Sequence, residues 1–233
     1  MMTGFRAARE AFRLDERRPH RTARGPRGRR RYLAASSNLG GSVRMLEARD
    51  RAVAPTGSLS IDSRRSRLAF DVRYFGFLRV QGEFRDVRGE IFGMDPHALS
   101  AAAVTAIVPV ASLATGIRVR DWHLCSAGYL AARRCPEATF QSERIVPDGR
   151  AGARVIGVLT LRGTAREVVI HVHECRFDAG ERRMHAHAHI TLHRSDFGIG
   201  PSRRAAWWDV RRYLIDDAVR LVLHVEAVER DEA

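Results

Sequence analysis

The chain has 233 residues, a formal net charge of +13, 45% apolar and 29% charged residues, which suits one large domain or two small ones. All 40 basic residues are arginine, so phosphate loops that need a lysine and Schiff-base chemistry that needs a lysine amine are excluded. Three cysteines without a CxxC pair supply no zinc ribbon or thioredoxin-type motif, and no run has the length and apolarity of a membrane-spanning helix.

The charge is unevenly placed. Residues 1–56 carry 14 arginines against 5 acidic residues, a net of +9, whereas residues 57–233 carry 26 against 22, a net of +4. The run Arg-Gly-Pro-Arg-Gly-Arg-Arg-Arg at 24–31 cannot bury enough apolar surface to offset the entropy of ordering it. Residues 1–56 are therefore expected to be a disordered tail, adding at most weak contact with nucleic acid or an anionic membrane. After Arg31 the apolar stretch ends at once in Ser36-Ser37-Asn38, too short for an export signal, so a cytoplasmic location is expected.

From residue 57 the pattern changes to period two. Leu68, Phe70, Val72 and Tyr74 alternate with Arg67, Ala69, Asp71 and Arg73, and Val80, Gly82 and Phe84 continue the alternation in a run that extends towards Phe92. Val104, Ala106, Val108 and Val110 follow the turn at Asp95-Pro96. Residues 115–142 then form the longest interruption, predicted as a short helical lid in which Arg118 and Asp121 face each other three apart, with Leu124 as its apolar anchor. Further strands are predicted near 138–146, 154–162, 167–177, 184–194 and 219–228, separated by turns such as Pro147-Asp148-Gly149.

About eight strands with short turns predict an all-β fold, an antiparallel barrel or sandwich. The final strand points Val219, Leu221, Leu223 and Val225 one way, while Gly82, Ala106, Gly157, Ala186 and Ala188 fall on inward positions of other strands. Small inward residues either leave an apolar ligand tunnel or are filled over by larger neighbours.

Histidine is the loudest local feature. His185, His187, His189 and His193 share one strand face, and His171 and His173 share a face of the preceding strand. Such a patch is either a solvated outer stripe or a surface chelator of a transition metal. Hydrolase signatures are missing: His173-Glu174 opens an HExxH pattern that Phe177 breaks, no GxSxG occurs, and Arg203 interrupts the glycine fingerprint after Gly198 and Gly200. Arg120, Asp121, His123, Arg194 and Asp196 could form an acid–base group at the barrel mouth, or simply ion pairs that fix loops.

Seven segments in register resemble the YceI-like, polyisoprenoid-binding family from about residue 57 to 228. They include Ser60-Ile61-Asp62 with Ser66, Val80-Gln81-Gly82-Glu83-Phe84, Thr115-Gly116 with Arg120-Asp121-Trp122-His123-Leu124, and Pro136 to Phe140 with Ser142. Residues 157–163, Arg194-Ser195-Asp196-Phe197-Gly198 and Ile215-Asp216-Asp217-Ala218 complete the set. Arg65, Tyr74 and Gly128-Tyr129-Leu130 depart from the family pattern. The resemblance implies an eight-stranded, lipocalin-like antiparallel barrel over residues 57–233 that binds and does not catalyse. Its ligand would be a long polyisoprenoid or isoprenoid quinone, held for carriage, sequestration or stress protection. The expected tunnel wall is Phe70, Val72, Phe84, Ala106, Val108, Phe140, Leu159, Ile170, Val172, Ala186, Ala188, Ile190, Leu221 and Leu223. The expected mouth is Arg120, Asp121, His123, Arg194, Asp196 and Trp208. No cofactor is required beyond the bound lipid, no metal is assigned, and the chain is expected to be a monomer or homodimer. The alternatives are a metal-binding protein using the histidine face and an interaction module using the arginine-rich tail.

Overall fold

The computed structural model describes residues 58–93, 99–149, 152–178, 181–201 and 215–229. The expectations for residues 1–56, and for Trp208 at the mouth, lie outside the described residues. Eleven strand segments make one antiparallel sheet: β1 (Ser58–Ile61), β2 (Arg67–Tyr74), β3 (Leu78–Phe84), β4 (Arg88–Phe92), β5 (Ala103–Pro109), β6 (Leu113–Ala114), β7 (Glu137–Asp148), β8 (Gly152–Leu161), β9 (Thr164–Asp178), β10 (Arg183–His193) and β11 (Ile215–Glu229). Their order is β1-β4-β5-β7-β8-β9-β10-β11, closed by β1 pairing with β11, while β2, β3 and β6 continue from the same edge of β11. Taking β1 with β2, β3 with β4, and β5 with β6 as single strands bent at corners gives the expected closed eight-stranded barrel. Closure leaves no long free edge to template aggregation.

The corners have identifiable causes. β11 pairs with β1 through Ala227–Glu229 and with β2 through His224 and the residues before it, so Glu226 falls at the switch. There the Ser66 hydroxyl donates to the Glu226 carbonyl and accepts from its N–H, both at 3.1 Å. One side chain thus replaces the ladder bonds that the bend removes. The β8–β9 hairpin turns through Arg162 and Gly163, both at positive φ, between the paired Leu161 and Thr164, the backbone a two-residue hairpin requires.

β9 carries an irregularity that sets its two faces. Ala188 pairs with Val172 and His187 with Glu174, leaving His173 as the extra residue of a β-bulge. Because a bulge inserts one residue, Val172 and Cys175 both face the interior although they are three apart. No helix among the described residues is long and apolar enough to cross a membrane.

Candidate functional site: an apolar cavity under a lid

Among the described residues, three buried clusters divide the interior. One, built on Leu59, Ile61, Val87, Ile91, Met184 and Ala227, closes the end where β11 finishes. Another, built on Phe70, Val110, Leu113, Leu130, Ile190 and Leu221, closes the end beneath the lid. The third lines the wall with Ala102, Phe140, Ile145, Ala153 and Val155. Between them lies a cavity of about 200 Å³ whose lining contains no polar atom.

Of the expected wall, Ala106, Val108, Phe140, Leu159, Ile170, Val172, Ala186, Ala188, Ile190, Leu221 and Leu223 line the cavity. Phe70 and Phe84 pack together, 5.8 Å between ring centroids, in the cluster below the lid. Val72 sits higher on the same strand, paired with Val80 and Val219, and is not part of the lining. Two of the small residues do other work. The space a Gly82 side chain would need is filled by the Phe70 ring and the Thr115 methyl group, and a Cβ on Gly157 would lie 2.2 Å from the Gln141 carbonyl oxygen. They admit the lid and a close strand; the cavity comes instead from alanines, including Ala102 and Ala153, which period-two reading did not single out.

The lid is helix α1 (Arg118–Leu124) with the loop to β7. Asp121 does not face Arg118. It accepts hydrogen bonds from the Thr115 N–H at 2.8 Å and from the Thr115 hydroxyl. Arg120 donates to the Thr115 hydroxyl at 2.8 Å and to its carbonyl at 2.9 Å. Thr115 is fully buried, so these two charged side chains clasp the first turn over the barrel. Leu124 packs into the cluster below, as expected. His123 packs against Tyr129 with the rings tilted at 57° and centroids 4.7 Å apart.

Arg194, only 5% exposed, directs its guanidinium at the carbonyls of Asp216, Ile199, Pro201 and Ile215, at 2.9–3.2 Å. Asp217, which sequence reasoning left without a role, accepts from the Ser195 N–H and hydroxyl. Asp196 is exposed. Arg162 ties the lid loop to this turn through the carbonyls of Ala127 and Gly198. The described residues of the expected mouth, Arg120, Asp121, His123, Arg194 and Asp196, are therefore brought to one end of the barrel, yet Arg120, Asp121 and Arg194 spend their polar atoms on backbone and Thr115. They form two loop clasps and no shared acid–base group.

The histidines lie on the outer face. His173 and His189 meet through ring nitrogens, His171 stacks on His189 at 5.2 Å, and His187 meets His224 edge-on at 4.4 Å. His185 and His193 stand apart beside Glu226 and Asp217. His224 was missed, although the inward parity of Leu223 and Val225 puts it outward, opposite His187. Burial, His187 and Arg67 hold its imidazole below the ordinary histidine value. Among the described residues no three His, Cys, Asp or Glu side chains converge as metal ligands.

A closed eight-stranded antiparallel barrel around a wholly apolar interior is the lipocalin-like class. The model of the YceI-like domain matches residues 59–227, and the chain belongs to that family. A UPF0312 protein of Vibrio cholerae is 29% identical over 164 residues, covering 69% of this chain and 80% of that protein. The crystal structure of Burkholderia cenocepacia BcnA superposes with a TM-score of 0.64 at 22% identity, covering 72% of this chain and 99% of that one. A polyisoprenoid-binding domain from Saccharophagus degradans, implicated in plant cell wall breakdown, superposes at 0.57 with 16% identity over 75% of this chain and all of that one.

Proposed function

We propose that the barrel binds one long apolar molecule, a polyisoprenoid or isoprenoid quinone, and holds it away from water without transforming it. The observation that carries this reading is the cavity of about 200 Å³ with no polar atom in its lining. Such a surface offers nothing to orient a polar substrate, and each buried methylene contributes about 0.8 kcal/mol, so chain length alone supplies affinity. The likeness in fold to a polyisoprenoid-binding domain supports the same ligand class. Binding of this kind suits carriage, sequestration or protection of the lipid from oxidation.

Organic extraction of the purified protein followed by mass spectrometry tests the proposal. A near-stoichiometric isoprenoid species is the expected result. Recovery of only a mixture of membrane phospholipids at trace levels would overturn it.

A further inference from the structure

The lid helix is amphipathic in the reverse sense. Arg120 and Asp121 turn inward onto Thr115, whereas Val119 and Trp122 turn outward with 77% and 74% of their surface exposed, and Ile117 is exposed beside them. No residue of the helix is buried. The β2–β3 turn projects from the same end, since Tyr74 pairs with Ile215 at the start of β11, close to the turn whose Gly200 N–H donates to Gly128 of the lid loop. That turn adds exposed Phe75, Phe77 and Leu78. Besides the inward-turned Arg120, residues 73–79 and 117–134 hold five exposed arginines (73, 79, 118, 133 and 134), and their one acidic residue, Asp121, also turns inward. Exposed Glu137, Asp196 and Asp216 stand at this end too, outside the two projecting segments.

We infer that the lid end of the barrel docks on an anionic bilayer, with Val119 and Trp122 entering the lipid interface and the flanking arginines meeting headgroup phosphates. A bilayer satisfies both halves of the surface at once: an indole settles at the headgroup level, aliphatic side chains gain by leaving water, and cations gain near an anionic leaflet. A second copy of the chain would set the same arginines against each other. Nucleic acid would engage the arginines but leave Val119 in water. Docking of this kind does not depend on what occupies the cavity, so vesicle binding by lipid-stripped protein separates it from the ligand reading above.

The arginines of residues 1–56 can also draw the chain to anionic vesicles, so the test must locate the contact. In the full chain carrying Trp207→Phe and Trp208→Phe, Trp122 is the sole remaining tryptophan of three. Added vesicles of phosphatidylglycerol mixed with phosphatidylcholine are expected to shift its emission to the blue, and brominated acyl chains are expected to quench it. Phosphatidylcholine alone should do neither. In the otherwise native chain, Val119→Asp is expected to lower affinity for the same vesicles about tenfold in a sedimentation assay, with unchanged thermal unfolding because the site is exposed. Trp122 emission that stays unshifted on vesicle-bound protein, or Val119→Asp binding as tightly as the parent, would overturn the inference. A blue shift that follows protein concentration without vesicles would overturn it in favour of self-association.

Discussion

Thr115 shows how much one buried side chain organises. It has no exposed surface, its methyl group fills the space over Gly82, and its polar atoms receive Asp121 and Arg120. Replacing Asp121 with alanine leaves the Thr115 N–H and hydroxyl without their charged acceptor. The expected loss is about 1.5–3 kcal/mol in denaturant unfolding, with exchange of the lid amides faster than that of the β9–β10 ladder. His224 gives a second test at this scale. A histidine in the unfolded chain takes up a proton near pH 6.5, but His224 resists it because of burial, His187 and Arg67. Its contribution to stability is therefore complete above about pH 6.5 and is lost as the pH falls from there towards its depressed folded value. His224→Leu, which also removes the buried Nε2 that has no hydrogen-bond partner, is expected to show a smaller drop in melting temperature between about pH 7.5 and about pH 5.5 than the parent.

Elements show where the sequence is legible and where it is not. β10 reads clearly because its alternation is unbroken and its pairing with β11 is regular over Arg183–His193. β9 reads only in part: the bulge at His173 changes which residues face inward, and no glycine marks it. β1 and β6 are four and two residues long, too short for periodicity to reveal, so bent strands looked like loops. The lid's place was legible from its length and charges, but its polarity was not, because spacing alone pairs Arg118 with Asp121 and cannot see Thr115. Gly157 marks a close approach between β7 and β8. An added methyl there meets the Gln141 backbone, which no rotamer change relieves. Gly157→Ala is expected to destabilise by about 1–3 kcal/mol, whereas Gly82→Ala meets the Phe70 ring and the Thr115 methyl, which can shift. Denaturation midpoints of the two variants compare them directly.

At the scale of the whole molecule, the barrel is packed towards both ends and left unfilled in the middle. The clusters beneath the lid and at the β1–β4 end pack the two ends with apolar side chains, while alanines on facing strands withhold the volume that would fill the centre. Most of that wall was legible, since eleven of the fourteen expected residues line the cavity. The other three sit on β2 and β3, where Phe70 and Phe84 pack together in the cluster beneath the lid. Filling the cavity from within separates a ligand tunnel from a packed core. Ala188 lines it, paired with Leu223 and Val172. Ala188→Trp would place an indole in the space assigned to the lipid chain. Both proteins must be stripped of lipid before their stability is compared, because a bound ligand itself stabilises the native state. A ligand tunnel predicts a variant that matches the stripped parent within about 1 kcal/mol, below the usual cost of overpacking, and that no longer co-purifies with isoprenoid. A stripped variant that fails to fold, or one that folds and still carries the parent's full complement of lipid, would contradict it.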